Sequence, residues 1–135
     1  MSSDPASTVH AGGVAEHLAH FVHVFNTGDP HAVDQLYTED AVSVWDPQTP
    51  LTGHDRRDSL AEFLTQRPTL KSSLRESFVT GDTALLVTDW SMEIPQPGGG
   101  TEVLTGIGND VVTRGADGNW RFAVDAPYGD PRNAR

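Results

Sequence analysis

The chain has 135 residues, enough for one domain with a single core, and its 36% hydrophobic and 21% charged content suits a folded globular protein. A formal net charge of −10, with the basic residues scattered and never in a run, argues against binding nucleic acid or anionic membrane surfaces, both of which need clustered Lys and Arg. There is no cysteine, so disulfides, thiolate nucleophiles and zinc-cysteine sites are excluded.

No apolar run approaches the roughly 18 residues of a membrane span, and Met1 to Val9 has neither a basic nor an apolar signal region. A soluble cytoplasmic protein is expected. Residues 1–9, rich in Ser, Asp, Pro and Thr, read as a flexible tail. A first helix is predicted from about His10–Gly13 to Asn26, with Val14, Leu18, Phe21, Val22 and Phe25 on one stripe. His20 and His23 face away from that stripe and His17 lies at its edge. Gly28 stops the helix. Asp29-Pro30 then gives an N-cap and a first-turn proline to a short second helix whose inner face is Ala32, Val33, Leu36 and Tyr37.

Tyr37-Thr38-Glu39-Asp40 leads into a strand through Ala41-Val-Ser-Val-Trp-Asp46, ended by Pro47 and Pro50. A third helix is predicted over Asp55–Gln66, with Leu60, Phe63 and Leu64 inward and Pro68 as its limit. The rest reads as strands over 70–80, 83–94, 101–114 and 119–125, joined by turn-forming stretches: an antiparallel meander. Helices first and strands later define an α+β domain over residues 10–129, with 130–135 as a C-terminal tail.

Two carboxylates stand out. With a period of two, Val42, Val44 and Asp46 share the interior face of their strand; a slip of one residue would instead turn Trp45 inward and Asp46 outward. On the later strand Leu104, Gly106, Gly108, Asp110 and Val112 share a face, and the glycines either clear space for a ligand beside Asp110 or allow a bulge or close packing. Trp90 alternates with Leu86, Thr88 and Met92, and Trp120 with Phe122 and Val124, as core or cavity wall. His54, close in sequence to Asp46, is a candidate pocket residue. Asp125-Ala-Pro-Tyr128-Gly reads as a turn in which Asp125 bonds backbone and Tyr128 covers a pocket edge. No metal or nucleotide motif is present, and no cofactor is expected.

The segments Phe25-Asn-Thr-Gly-Asp29, Leu36-Tyr-Thr-Glu-Asp-Ala-Val42, Gly81-Asp-Thr-Ala-Leu-Leu86 and Asp117-Gly-Asn-Trp-Arg-Phe122 resemble the nuclear transport factor 2-like superfamily. More narrowly they resemble its small bacterial branch of SnoaL-like, ketosteroid isomerase-like and DUF4440 proteins, over about residues 13–129. The resemblance implies a cone of three N-terminal helices on a strongly curved, mostly antiparallel sheet. It places the isomerase's general base on Asp46. The isomerase's oxyanion-hole carboxyl, an acid kept protonated by apolar surroundings, falls on Asp110. The oxyanion-hole tyrosine falls on Phe21, which cannot donate a hydrogen bond.

The expectation is a cofactor-independent isomerase, cyclase or dehydratase acting by proton transfer on a small, largely apolar carbonyl compound. Asp46 and Asp110 are its candidate catalytic residues, and Phe21, Trp45, His54, Phe63, Trp90, Gly108 and Tyr128 its candidate substrate contacts. The alternative is a non-catalytic ligand-binding or accessory module. A homodimer is expected, with Leu85 and Val87 on the sheet face opposite Trp90 available for the contact.

Overall fold

The computed structural model describes residues 5–133, with side chains from residue 13 onward. In chain order the elements are α1 (Pro5–Phe25), α2 (Pro30–Asp34), β1 (Tyr37–Ser43), α3 (Gly53–Leu64), β2 (Thr69–Thr80), β3 (Thr83–Pro95), β4 (Thr101–Arg114), β5 (Trp120–Ala126) and a final 3-10 turn, Pro131–Asn133. The strands form one sheet in the order β1-β5-β4-β3-β2, antiparallel except for the parallel pair β1 and β5. Among the described residues no helix is long and apolar enough to cross a membrane.

The helices cover one face of the sheet. Val14, Leu18, Phe21 and Phe25 of α1 are buried along the expected stripe, and His17 joins them rather than lying at its edge. Its ring packs on Phe122, with centroids 4.8 Å apart. Burial, with help from the charges of His20 and Arg121, lowers the His17 pKa to about 4, so the imidazole is neutral.

Asn26 fixes the end of α1. Its amide donates to the Leu70 carbonyl at 3.0 Å and accepts from the Leu70 N–H at 2.7 Å, pinning the helix to the start of β2. Asp29 caps α2 as expected, accepting from the N–H groups of His31 and Ala32.

The register shifts at three places: between Tyr37 and Val42 of β1 against β5, and at two one-residue bulges. Leu74 pairs with Thr88 while Glu76 pairs with Val87, leaving Arg75 as the extra residue of β2. Val111 pairs with Val124 while Val112 pairs with Phe122, leaving Ala123 as the extra residue of β5. Each extra residue locally bends its strand and shifts the inward-facing set beyond it by one.

Both predicted tails need correction. Of residues 1–9, the first four lie outside the described residues, and Pro5 to Val9 belong to α1, where a first-turn proline sacrifices no helical hydrogen bond. Of residues 130–135, the last two lie outside the described residues, while 130–133 fold back onto the sheet. Because β5 pairs with β4 only from Asn109 onward, the edge of β4 before it is open on that side. Asn133 closes it, accepting from the Ile107 N–H and donating to the Ile107 carbonyl, each at 2.7 Å. Buried Asp130 accepts from the backbone and guanidinium of Arg132, which reaches on to Glu76 of β2. Unpaired strand-edge groups are costly when shielded from water, and this strap supplies their partners.

Candidate active site

Between the helices and the inner face of the sheet lies a cavity of about 230 Å³. Its walls are apolar: Leu18, Phe21 and Phe25 from α1, Leu60 and Phe63 from α3, and Leu70, Trp90, Met92, Leu104 and Phe122 from the strands. The lining residues from α1, together with Tyr37, Leu60 and Phe122, are buried and form the closed end. Trp45, Phe63, Trp90, Met92, Leu104 and Tyr128 are partly or fully exposed and frame the mouth, with Trp45 against Phe63 and Trp90 against Tyr128 at centroid separations of 6.3 and 5.3 Å.

Into this apolar space project two carboxylates on adjacent strands. Asp110 of β4 and Asp125 of β5 are directly paired across the ladder, and both line the cavity. Directly opposed residues have Cβ atoms about 5 Å apart, so two full charges here repel in a poorly solvated site. Burial pushes the Asp110 carboxyl well above its usual range, the neighbouring Asp125 pushes it further, and one hydrogen bond from the Ala126 N–H at 3.0 Å opposes the rise. Burial also raises Asp125, but three groups favour its anion: the Tyr37 hydroxyl at 2.8 Å, the Trp45 indole N–H at 3.2 Å, and the Arg56 charge. The surroundings therefore put a shared proton on Asp110 and the negative charge on Asp125.

Tyr37 is held as a donor: burial and the adjacent Asp125 push its phenol well above the usual value. Its ring lies under the Arg56 guanidinium, whose central carbon is 4.5 Å from the ring centroid. Arg56 is 1% exposed and pairs with Asp34, and its Nε has no partner among the described residues. Oδ2 of Asp125 takes both donors and Oδ1 of Asp110 takes the Ala126 N–H, so those bonds leave Asp125 Oδ1 and Asp110 Oδ2 unspent.

Asp46 is not part of this arrangement. β1 stops at Ser43, and Ala41 and Ser43 are the fully buried residues, so the inward set continues to Trp45 and not to Asp46. Pairing fixes the phase: Val42 is opposite Val124, and Ser43 is opposite inward-facing Asp125. Burying an indole in place of an ionised carboxylate is the favourable choice. Asp46 is exposed and accepts from the Gln48 N–H at 2.9 Å within the turn.

His54 is also outside the cavity. Its side chain is 87% exposed and 4.0 Å from Asp58, because the buried face of α3 runs through Arg56, Leu60 and Leu64. Gly108 does not line the cavity directly. A Cβ there would lie 2.9 Å from Thr88 Oγ1, and one at Gly106 would lie 2.8 Å from the Trp90 ring. The glycines thus serve close packing, admitting the Trp90 indole and the Thr88 hydroxyl onto the floor. Phe21, Trp45, Phe63, Trp90, Asp110 and Tyr128 all line the cavity. Trp90 is oriented by donating to the Pro127 carbonyl at 2.7 Å.

The residues that sequence reasoning misses are Asp125 and Tyr37. Alternation through Trp120, Phe122 and Val124 assigns Asp125 to the other face, and only the bulge at Ala123 turns Phe122 and Asp125 to the same side. The helical pattern assigns Tyr37 to the inner face of α2; it begins β1 instead, and its hydroxyl donates to Asp125 in the cavity wall.

The SnoaL-like domain family model matches residues 18–123. A comparison with curated protein sequences finds no match. Among solved structures, a conserved protein of Planctomyces limnophilus superposes with a TM-score of 0.76 at 18% identity, covering 87% of this chain and 94% of its own. A nuclear transport factor 2-like superfamily protein from Salmonella enterica gives 0.71 at 19% identity, with 93% and 94% covered. A candidate dehydratase of the same family from Streptomyces avermitilis gives 0.70 at 20% identity, with 90% and 95% covered. With a family match spanning most of its length, the chain belongs to the SnoaL-like domain family, and its three-helix, curved-sheet fold is that of the nuclear transport factor 2-like structures.

Proposed function

We propose that the chain is a cofactor-independent enzyme that transfers a proton on a small, largely apolar carbonyl compound, as an isomerase, cyclase or dehydratase. The observation that carries this reading is the Asp110–Asp125 pair, directly opposed across the ladder among apolar walls, with burial raising both carboxyls and the Tyr37 and Trp45 donors favouring the charge on Asp125. Asp125 Oδ1 takes the proton from the carbon α to the carbonyl, and the C–H electrons move to the oxygen, which receives a hydrogen bond from protonated Asp110. In an isomerisation Asp125 returns the proton to another carbon. In a dehydration a β-hydroxyl leaves as water with the proton of Asp110, and the pair again holds one proton, now on Asp125. Two structural neighbours carry names of candidate dehydratases, which supports the second course.

The test is turnover of a panel of β-hydroxyketones and unconjugated enones. Asp125→Asn is expected to lower kcat by about two to four orders of magnitude, and Asp110→Ala by about two to three. Asp46→Asn keeps full activity. Undiminished turnover by Asp125→Asn overturns the reading; ligand binding without product at any pH favours the non-catalytic alternative.

The same reading includes a homodimer in the cytoplasm. Its support is an apolar row on the outer sheet face, Phe78, Leu85, Val111, Val124 and Val42, continuous across all five strands by their pairing. Phe78 is 58% exposed, and the charges nearby are paired as Arg75–Asp89 and Arg132–Glu76. Sedimentation of the wild type as a dimer and of Phe78→Asp as a monomer is the expected result; a monomeric wild type removes the dimer.

A further inference from the structure

The cavity floor carries polar groups that the proton transfer does not use. Thr88 of β3 is 3% exposed and Ser72 of β2 half-buried, yet both line the cavity. Neither hydroxyl takes part in the hydrogen bonds that orient Asp110, Asp125 or Trp90. Thr88 is opposite Gly108, two residues from Asp110 on the same face, and a Cβ at Gly108 would lie only 2.9 Å from its Oγ1. A side chain at that position would displace or cover the hydroxyl, and glycine leaves it open.

One strand spacing of about 4.8 Å and two residues of about 3.4 Å each separate Asp110 from Thr88 by roughly 8 Å along the floor. The roof above them is hydrocarbon: Leu18, Phe21, Phe25 and Phe63. The cavity, at about 230 Å³, is smaller than the pockets that take drug-sized ligands, which start at roughly 300 Å³.

We propose that the substrate is a compact one- or two-ring compound with oxygen at both ends, its reacting carbonyl at the carboxylate pair and a second hydroxyl or carbonyl on Thr88. The substrate class rests on the proton-transfer reading; the second oxygen site rests on the floor geometry alone. Thr88 is thus a specificity-determining residue, and a ligand that buries a methyl group against its hydroxyl leaves that hydroxyl without a partner.

The probes are 4-hydroxyacetophenone and 4-methylacetophenone, similar in shape and differing in one polar atom; the oxygens of the former lie about 6 Å apart, and a tilted hydrogen bond at each end spans the remainder of the roughly 8 Å floor separation. Calorimetric titration of the wild-type protein is expected to give a tighter Kd for the hydroxyl compound by roughly three- to tenfold, the worth of one neutral hydrogen bond. The preference falls to within twofold in Thr88→Val and in Thr88→Ala, and survives in Thr88→Ser and Ser72→Ala. Equal affinities in the wild type, no binding of either probe, or a preference that survives Thr88→Val or disappears in Ser72→Ala overturns the assignment. Asp125→Asn separates this proposal from the catalytic one. It is expected to lower turnover by about two to four orders of magnitude and keep the preference; in the wild type, turnover without a preference sinks only the Thr88 site, and a preference without turnover sinks only the proton transfer.

Discussion

Tyr37 and Asp125, 88 positions apart in the chain, meet at 2.8 Å in the cavity wall, the phenol donating to a carboxylate that burial would otherwise protonate. The bond runs from the first residue of β1 to the parallel strand β5. Because that bond favours the anion, Tyr37→Phe raises the Asp125 pKa. In the proposed proton transfer the base must be ionised to act, so the acid limb of the kcat/KM profile is expected to move to higher pH while the high-pH plateau is kept. A profile that does not move would mean that Tyr37 does not tune the base.

Asp110 makes an opposite contribution to stability. Its carboxyl is raised above the unfolded value, so the folded state binds more protons than the unfolded one between those two pKa values. The wild type therefore gains stability as pH falls through the folded pKa, and at higher pH the group is a penalty. Asp110→Asn is expected to be more stable than the wild type at pH 7, with the advantage shrinking toward pH 4. Urea midpoints at pH 7, 5.5 and 4 check the sign; a variant less stable at pH 7 contradicts it.

His17 works in the other direction. Its pKa is lowered from 6.5 to about 4, so the unfolded state takes up a proton that the folded state refuses as pH drops from 6.5 to 4. The stability present above pH 6.5 is lost through that window, by about 3 kcal/mol for a shift of this size. His17→Leu removes this dependence. The wild type should therefore lose ground against the variant by about that amount between pH 7 and pH 4, read from paired urea titrations. Parallel curves for the two proteins would rule out the buried neutral imidazole.

Asn26 and Asn133 each spend a side-chain amide on both backbone groups of one strand residue, Leu70 and Ile107. Asn26→Ala leaves a buried N–H and C=O unpaired where α1 meets β2, and is expected to cost about 1–3 kcal/mol of global stability. Asn133→Ala releases a terminal strap, so its main effect is local: faster hydrogen exchange at the Ile107 amide, with little change in the urea midpoint. Equal global losses for the two variants would mean the strap is part of the cooperative core.

The elements were legible because their signals are local. The stripe of Val14, Leu18, Phe21 and Phe25, the Asp29-Pro30 start of α2, and the turn residues between β2, β3 and β4 each act through near neighbours, and the observed boundaries lie within a few residues of expectation except at the two termini. The apolar cavity walls and Asp110 were legible for the same reason, since Trp90, Phe63 and Asp110 sit on faces set by uninterrupted periods.

By itself the sequence determined the α+β class, the family, the apolar lining and one of the two carboxylates. Tertiary structure decided the other carboxylate and its partner. A period of two carries the facing of a residue only as far as the next irregularity, and the extra residue Ala123 reverses it two positions before Asp125. Likewise Trp45 and Asp46 compete for one interior position, and the parallel pairing of β1 with β5 sends the indole inward and the carboxylate to solvent. Both decisions depend on strands brought together from opposite ends of the chain, so no local pattern records them.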